Sequence, residues 1–395
     1  MAPIRLGTAS PSTQPTISQT LSLLSDLARR AASHSIDLLL LPEAFLGGYP
    51  RGSAFGSVVG SRSAEGRDEF ASYFEGAVDL GDTVGNGAGA GDKWICRELD
   101  VNKGEDFRGD GIREELERVA KETGVFIVTG LVERAGGSLY CSVIYICPNQ
   151  GIIGKRRKIM PTGTERLIWA QGSPSTLRAV STTIRGVRIN LAAAICWESY
   201  MPLLRQSLYA QNINLYLAPT ADARDAWLSL MRTASVEGRC FVLSSNMCVR
   251  DTENQEDDNN LVVKGGKRFS REEDEMEITL PRESIFDQDG NEIVLSCPDN
   301  ENRTSTQTNS NSVVTKDKPA SKASWSCRGG SCIVDPFGDV LAGPQWEDDH
   351  GIIFADVDFR DCIKGRLDLD AGGSYSRNDS FKLAIDGLDL EPLPY

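Results

Sequence analysis

At 395 residues the chain is long enough to bury a large core, in one large α/β domain or in two to three smaller ones. Its 42 Lys and Arg against 56 Asp and Glu leave a net charge of −14, which argues against nonspecific attraction to nucleic acid or an anionic membrane and points to small or neutral partners. No apolar stretch reaches the ~20 residues of a membrane-spanning helix, and the start, MAPIRLGTASPSTQPT, lacks the charged-then-apolar layout of a signal peptide, so a cytoplasmic protein is expected.

From the N-terminus, IRLGTAS reads as a first strand, and Ile17, Leu21, Leu24, Ala28 and Ala31 then recur at helical spacing. In IDLLLLPEAF, the run Ile36 to Leu41 lacks alternation, as expected of a strand covered on both faces, and Pro42 ends it. The cycle returns with Ile112, Leu116 and Val119 on a helix and VFIVTGLVE as a strand. LYCSVIYICPNQGIIGKRRKI reads as two strands about a PNQG turn, and GVRINLAAAIC as a strand ending at Cys196. A helix (MPLLRQSLYAQN), a strand (INLYLAPTA), a helix (DAWLSLMRTASVEG) and a strand (RCFVLSSNM) follow. A hairpin, SCIVDPFGDVLAG, and a last strand, GIIFADVDF, complete an α/β alternation.

Two stretches interrupt this rhythm and are expected to be surface insertions: residues 80–111, with GNGAGAG, and residues 251–326, with nine acidic against four basic residues between Asp251 and Glu275. The second holds a possible strand pair, MEITLP and NEIVLS. GNGAGAG matches only a loose GxGxxA and leads into no convincing helix, so no phosphate cradle is expected there. A C-terminal tail is expected from about residue 381.

Ten cysteines are scattered without CxxC spacing, which indicates neither a disulfide framework nor a zinc site, and no spacing implies a nucleotide or flavin. HExxH and GxSxG are absent, and His34 and His350 are the only histidines. A nucleophilic cysteine must therefore take its base from one of two histidines or from a carboxylate. Cys196 ends a strand, where α/β sheets present their sites, although free cysteines are commonly small core residues. Glu43 ends another strand and opens FLGGYPRGSAFG, whose glycines, aromatics and Arg51 suit a packed functional loop. Lys158 closes the run Lys155, Arg156, Arg157, Lys158; a solvated basic face is the simple reading, but the following KIMPTGTERLIWAQG is too apolar for a basic tail, so one cation is expected to point inward. Glu165 and Glu198 either cap exposed backbone amides or join the site, and Glu165 is favoured because it shares a segment with Lys158.

LPEAFLGGYPRGSAFG, GKRRKIMPTGTERLIWAQG and AAAICWESYMPLLRQSLYAQNINLYLAPTAD, in this order, resemble the three signature segments of the nitrilase family within the carbon-nitrogen hydrolases. The match continues through EGRCFVLSSN, CRGGSCIVDPFGDVLAGP and YSRNDSF. The resemblance implies a four-layer α-β-β-α sandwich forming a single domain over 1–395, and homo-oligomers, either dimers or longer spirals and filaments. It also implies roles: Glu43 is similar to the general base, Lys158 to the cation that stabilises the intermediate, Cys196 to the nucleophile and Glu165 to the second glutamate of these sites. The sequence departs from the family where Arg156 stands in place of a frequent histidine, at GGSYSR (372–377), and in the long insertion.

The implied activity is hydrolysis of a small-molecule nitrile to acid and ammonia without cofactor or metal, with Lys158 favouring the thiolate and Glu43 accepting the thiol proton. The alternatives are an amide-forming nitrile or cyanide hydratase, an amidase, and, in a different class, a noncatalytic assembly protein. A Cys-His hydrolase using His350 is disfavoured by the acidic turn QWEDDHG in which that residue lies.

Overall fold

Alternation of side chains along each strand decides how this chain stacks its layers. The computed structural model describes residues 3–84, 91–222, 224–251 and 324–395, with two short strands between 252 and 323. The first half lays down β1 (Ile4–Ala9), β2 (Leu38–Leu40), β3 (Phe126–Ala135), β4 (Ser138–Cys147) and β5 (Gly151–Arg157). The second lays down β6 (Val180–Ile184), β7 (Val187–Ala193), β8 (Leu215–Thr220), β9 (Phe241–Asn246), β10 (Cys248–Arg250), β11 (Trp325–Val334) and β12 (Val340–Trp346), before β13 (Ile352–Val357) returns to β1.

The first sheet runs β13-β1-β2-β3-β4-β5 and the second β10-β11-β9-β8-β7-β6, with β12 beside β11. Parallel pairing links β1, β2 and β3 in one sheet and β7, β8 and β9 in the other. Leu38 and Leu40 face the layer between the sheets together with Leu215 and Leu217, whereas Leu39 packs outward with Leu24, Leu27 and Leu116. On the far side Tyr216 and Ala218 pack with Leu204, Leu208, Trp227 and Met231. The outer layers are helices α1 (Ile17–Ser33) and α3 (Ile112–Thr123) on one side and α4 (Pro202–Ala210) and α5 (Ala226–Gly238) on the other; α2 (Ala64–Glu75) and α6 (Arg360–Gly365) lie between these in sequence and beyond them. The arrangement is the expected α-β-β-α sandwich.

The chain's own signals start and stop these helices. Thr16 and Gln19 form a reciprocal capping box at the start of α1, and Gly124 (φ 71°) ends α3 in the left-handed conformation that glycine adopts without strain. No described helix is long and apolar enough to cross a membrane.

Compact units divide the chain into residues 1–250 with 325–395, and residues 251–324. In the second, Ser284–Phe286 pairs antiparallel with Glu292–Val294. The strand expected at NEIVLS is thus present, while MEITLP lies outside the described residues, as does most of GNGAGAG. The 80–111 stretch is not wholly superficial: Trp94 is buried, and so is the Asp82 side chain.

The run 155–158 corrects the sequence reading most directly, because all four cations are buried. Strand alternation sends Lys155 and Arg157 outward and Arg156 and Lys158 inward. On the outer side Glu133 binds Lys155 at 2.5 Å and Arg157 at 2.7 and 3.0 Å, Asp82 binds Lys155 at 2.6 Å, and the Ser142 hydroxyl donates to Glu133 at 2.7 Å. Burial pushes the Glu133 carboxyl up, but the charge of Lys155 and the hydrogen bonds of Arg157 outweigh it and hold the pKa at about 2. A depressed folded-state pKa adds stability above the ordinary carboxylate value and loses it as pH falls through about 2. Glu133→Leu, which leaves Lys155 and Arg157 with too little counter-charge, is expected to cost about 3–5 kcal/mol in denaturant unfolding at pH 7, with the difference from wild type shrinking as pH falls from about 5 toward 2. Equal stabilities at neutral pH would show that the pair is dispensable.

Candidate active site

Glu43 follows β2 at the C-terminal edge of the first sheet, where the chain turns through Leu41 and Pro42, and its side chain is fully buried. Gly130 of β3 lies beneath this turn. A Cβ there would meet the Pro42 carbonyl oxygen at 2.4 Å and the Ala44 nitrogen at 2.7 Å, so glycine is what lets the two backbones approach.

Cys196 lies three residues past the end of β7, at the matching edge of the second sheet, with φ 54°. A left-handed conformation at a residue with a Cβ costs ~1–2 kcal/mol and must be held by its surroundings. Here the Glu198 N–H donates to the Ile195 carbonyl at 3.1 Å, closing a tight turn over Cys196–Tyr200. At the end of β8 the Thr220 hydroxyl donates to Sγ of Cys196 at 3.1 Å.

Lys158 continues from β5 on its inward face, its N–H bonded to the Cys141 carbonyl at 2.7 Å. Its Nζ donates to Oε1 of Glu43 and to Oε2 of Glu165, both at 2.7 Å. Glu165 sits in the short turn Gly163–Leu167, where Oε2 also accepts the Thr162 N–H at 2.7 Å and Oε1 accepts the Tyr49 hydroxyl at 2.9 Å. Carboxylate oxygens of Glu43 and Glu165 and the sulfur of Cys196 lie within 4.8 Å of one another. Glu43, Lys158, Glu165 and Cys196, drawn from both sheets, therefore share one buried cluster.

The electrostatics differ from the sequence expectation in one respect. Burial first, then the negative charge of Glu43, raises the Cys196 thiol well above its ordinary range, and Lys158 opposes this without prevailing. The resting group is a neutral thiol that needs a base. Burial also raises Glu43, against the pull of Lys158 and with the help of Glu165, which makes its carboxylate a better proton acceptor than an exposed one. Burial lowers Lys158, but the negative charges of Glu43 and Glu165 act against it and hold its pKa above the ordinary lysine value. Oε2 of Glu43 is buried and has no hydrogen-bond partner among the described residues, leaving a lone pair available for a proton.

Three participants escaped the sequence reading. The Cys141 thiol donates to Oε1 of Glu43 at 3.5 Å, Thr220 touches the sulfur, and Tyr49 orients Glu165. Tyr49 lay inside a loop already singled out. Cys141 was legible only as an inward position of β4, in step with Val143 and Tyr145. Glu198 is buried but binds Arg156 and nearby backbone amides, and Arg51 donates to the Ala221 carbonyl at 2.6 Å. His350 is 81% exposed and lies 3.5 Å from Asp349, away from the buried cluster around Cys196, which removes it as the base.

The donor set of Glu43, Glu165 and Cys196 is close enough for one metal ion, but the Lys158 ammonium bonds to both carboxylates and fills a cation's place. A metal would have to displace it.

The family model for carbon-nitrogen hydrolases matches residues 4–366. The chain belongs to the carbon-nitrogen hydrolase family. Within that family it is 35% identical to a nitrilase of Bradyrhizobium diazoefficiens over 91% of this chain and 84% of the relative. It is also 35% identical to an arylacetonitrilase of Trametes versicolor, over 93% and 91% of the two chains. A bifunctional nitrilase/nitrile hydratase of Nicotiana tabacum matches at 34% over 95% of this chain and 84% of its own. Among solved structures, a carbon-nitrogen hydrolase of Helicobacter pylori superposes with a TM-score of 0.55 at 14% identity, covering 93% of each chain, and shows the same fold.

For a family member whose thiol is held neutral, the pH midpoint for alkylation of Cys196 by iodoacetamide is expected above the ~8.5 of a free thiol. Glu43→Gln removes the negative charge that raises it, so the midpoint should fall in that variant. A wild-type midpoint at or below the free-thiol value, read by peptide mass spectrometry, would contradict these electrostatics.

Proposed function

We propose that this carbon-nitrogen hydrolase is a nitrilase that converts an organic nitrile and two waters into a carboxylic acid and ammonia. The observation that carries the reading is the Lys158 ammonium, bonded at 2.7 Å to both Glu43 and Glu165, within a cluster that includes the Cys196 thiol.

A free thiolate could not form alone here, since two carboxylates already share one ammonium. The thiol proton therefore passes to Oε2 of Glu43 as the sulfur bonds to the nitrile carbon. The same proton then reaches the nitrile nitrogen, leaving a thioimidate on Cys196. Water adds to its carbon, Glu43 taking one proton and returning it to nitrogen, and Lys158 stabilises the tetrahedral species. Breaking the C–N bond, with the hydroxyl proton passing to nitrogen as the carbonyl forms, releases ammonia and leaves a thioester. A second water, deprotonated by Glu43, displaces the sulfur and frees the acid. Tyr49 and Thr162 hold Glu165, and through it the ammonium, in place.

If the C–S bond breaks first in the tetrahedral species, the product is an amide. The relative named bifunctional nitrilase/nitrile hydratase keeps that second reading open for this site. The reading also includes a cytoplasmic homo-oligomer, a dimer or a longer spiral, and Leu203 on α4, 70% exposed, offers apolar surface for a second copy to cover.

A panel of aliphatic and aromatic nitriles, with ammonia, acid and amide all quantified, tests the reaction. Acid and ammonia in equal amounts are expected. Amide without ammonia would replace the first reading by the second, and no turnover on any nitrile or amide would favour a noncatalytic assembly protein. Glu43→Gln should lower turnover by about 10²- to 10⁴-fold while remaining folded, and near-normal turnover would remove Glu43 from its role. Light scattering should give a mass above one chain, reduced by Leu203→Asp.

A further inference from the structure

Arg156 is used by none of the steps above. It is nevertheless among the largest fully buried side chains of the protein. Its Nη2 donates to both carboxylate oxygens of Glu198 at 2.7 Å, and its Nη1 donates to the Ala193 carbonyl, the last residue of β7. Its Nε is buried without an acceptor among the described residues. The guanidinium thus leaves one donor unsatisfied while reaching across from β5 to the second sheet.

Glu198 completes the connection. Its Oε1 accepts the N–H of Ile159 at 2.7 Å and of Met160 at 3.3 Å, the two residues directly after Lys158. Its Oε2 accepts the N–H of Ile195 at 2.9 Å, the residue directly before Cys196. One carboxylate therefore bonds backbone adjoining the lysine and backbone adjoining the nucleophile. Ala193 is held from the first sheet a second time, since its N–H donates to the Tyr145 hydroxyl at 3.0 Å. Buried ion pairs contribute little net stability compared with apolar packing, so a pair with this many directed bonds acts chiefly on geometry.

We propose that Arg156 and Glu198 are a positioning pair that fixes the distance between the Lys158 ammonium and the Cys196 sulfur, holds Cys196 in its left-handed conformation, and so sets which bond of the tetrahedral species breaks. For its product readout this rests on the proposed nitrile hydrolysis. Its geometric part does not. Neither residue touches the reacting atoms; both act through the backbone beside Lys158 and Cys196.

Glu198→Gln and Arg156→Lys test the proposal on the full chain. The lysine keeps the buried charge but lacks the planar fork that spans both Glu198 oxygens and the Ala193 carbonyl. For folded Glu198→Gln, kcat is expected to fall about 10²-fold, the scale of a small misplacement of reacting groups, with KM changed less than about threefold and the amide fraction of product raised. Arg156→Lys should show the same pattern at about 10-fold. In both, the alkylation midpoint of Cys196 should shift toward the free-thiol value as the cluster loosens. That measurement needs no substrate, so it still decides the geometric claim if no nitrile is turned over. A purely structural role would lower the melting temperature and leave the product ratio and alkylation profile of the folded fraction as in wild type; that result in either variant overturns the proposal. Should Glu198→Gln fail to fold, Arg156→Lys decides alone.

Discussion

A lysine ammonium sealed away from water has to be neutralised by groups the fold brings to it, and around Lys158 that requirement joins distant parts of the chain. Glu43 comes from the edge of the first sheet, Glu165 from a turn after β5, and the sulfur of Cys196 from the edge of the second sheet. Removing the ammonium would leave two carboxylates facing each other without a counter-charge in a low-dielectric interior, where the penalty is several kcal/mol. The same constraint gives the site its chemistry. Two carboxylates and one ammonium carry a net negative charge, so the thiol stays protonated until a carboxylate takes its proton. In the proposed reaction this couples Glu43 as base to Cys196 as nucleophile, with no need of a histidine.

Period-two alternation extends this logic along a single strand. In Lys155 to Lys158, successive side chains face opposite sides of the first sheet, and each side supplies its own acids. Glu133 and Asp82 face the outer pair, where the Trp94 ring lies against the Lys155 ammonium, whereas Glu198, Glu43 and Glu165 face the inner pair between the sheets. Four adjacent cations are in this way buried with their acids, and Lys158 is held at the end of the strand. On the opposite sheet the strain at Cys196 is offset by hydrogen bonds from its own turn and from Thr220. Rigidity on both sides suits a reaction whose product depends on small displacements of one proton donor.

Much of the architecture was legible in the chain. The helical spacing from Ile17 to Ala31, the unalternating run before Pro42 and the strand ending near Cys196 each match an observed element, because hydrophobic periodicity reports which faces are covered. Boundaries were less legible: the strand expected over 36–41 narrows to Leu38–Leu40, since only those residues meet both neighbours in register. Helix α2 and strands β6 and β10 went unread. α2 buries only Gly66, and β6 and β10 lie at sheet edges, so none carries a continuous apolar stripe.

The candidate residues Glu43, Lys158, Glu165 and Cys196 could be named from sequence because each sits at a punctuated strand end or in a turn-rich segment, in motifs whose order is that of the family. Their partners could not. Thr220, Cys141 and Tyr49 have no local signature, since each acquires its role only from a residue 24 to 116 positions away that packing brings within hydrogen-bond reach, and Arg156 and Glu198 could be singled out one by one but not as a pair. The sign of the thiol's shift was likewise a property of the assembled site. A neighbouring lysine alone would favour the thiolate, and burial beside an acid reverses that. By itself, then, the sequence determined the layer pattern and the chemical groups available, because these follow from residue type and spacing. The tertiary structure alone decided which charges meet, how deeply they are desolvated and therefore where the reactive proton rests.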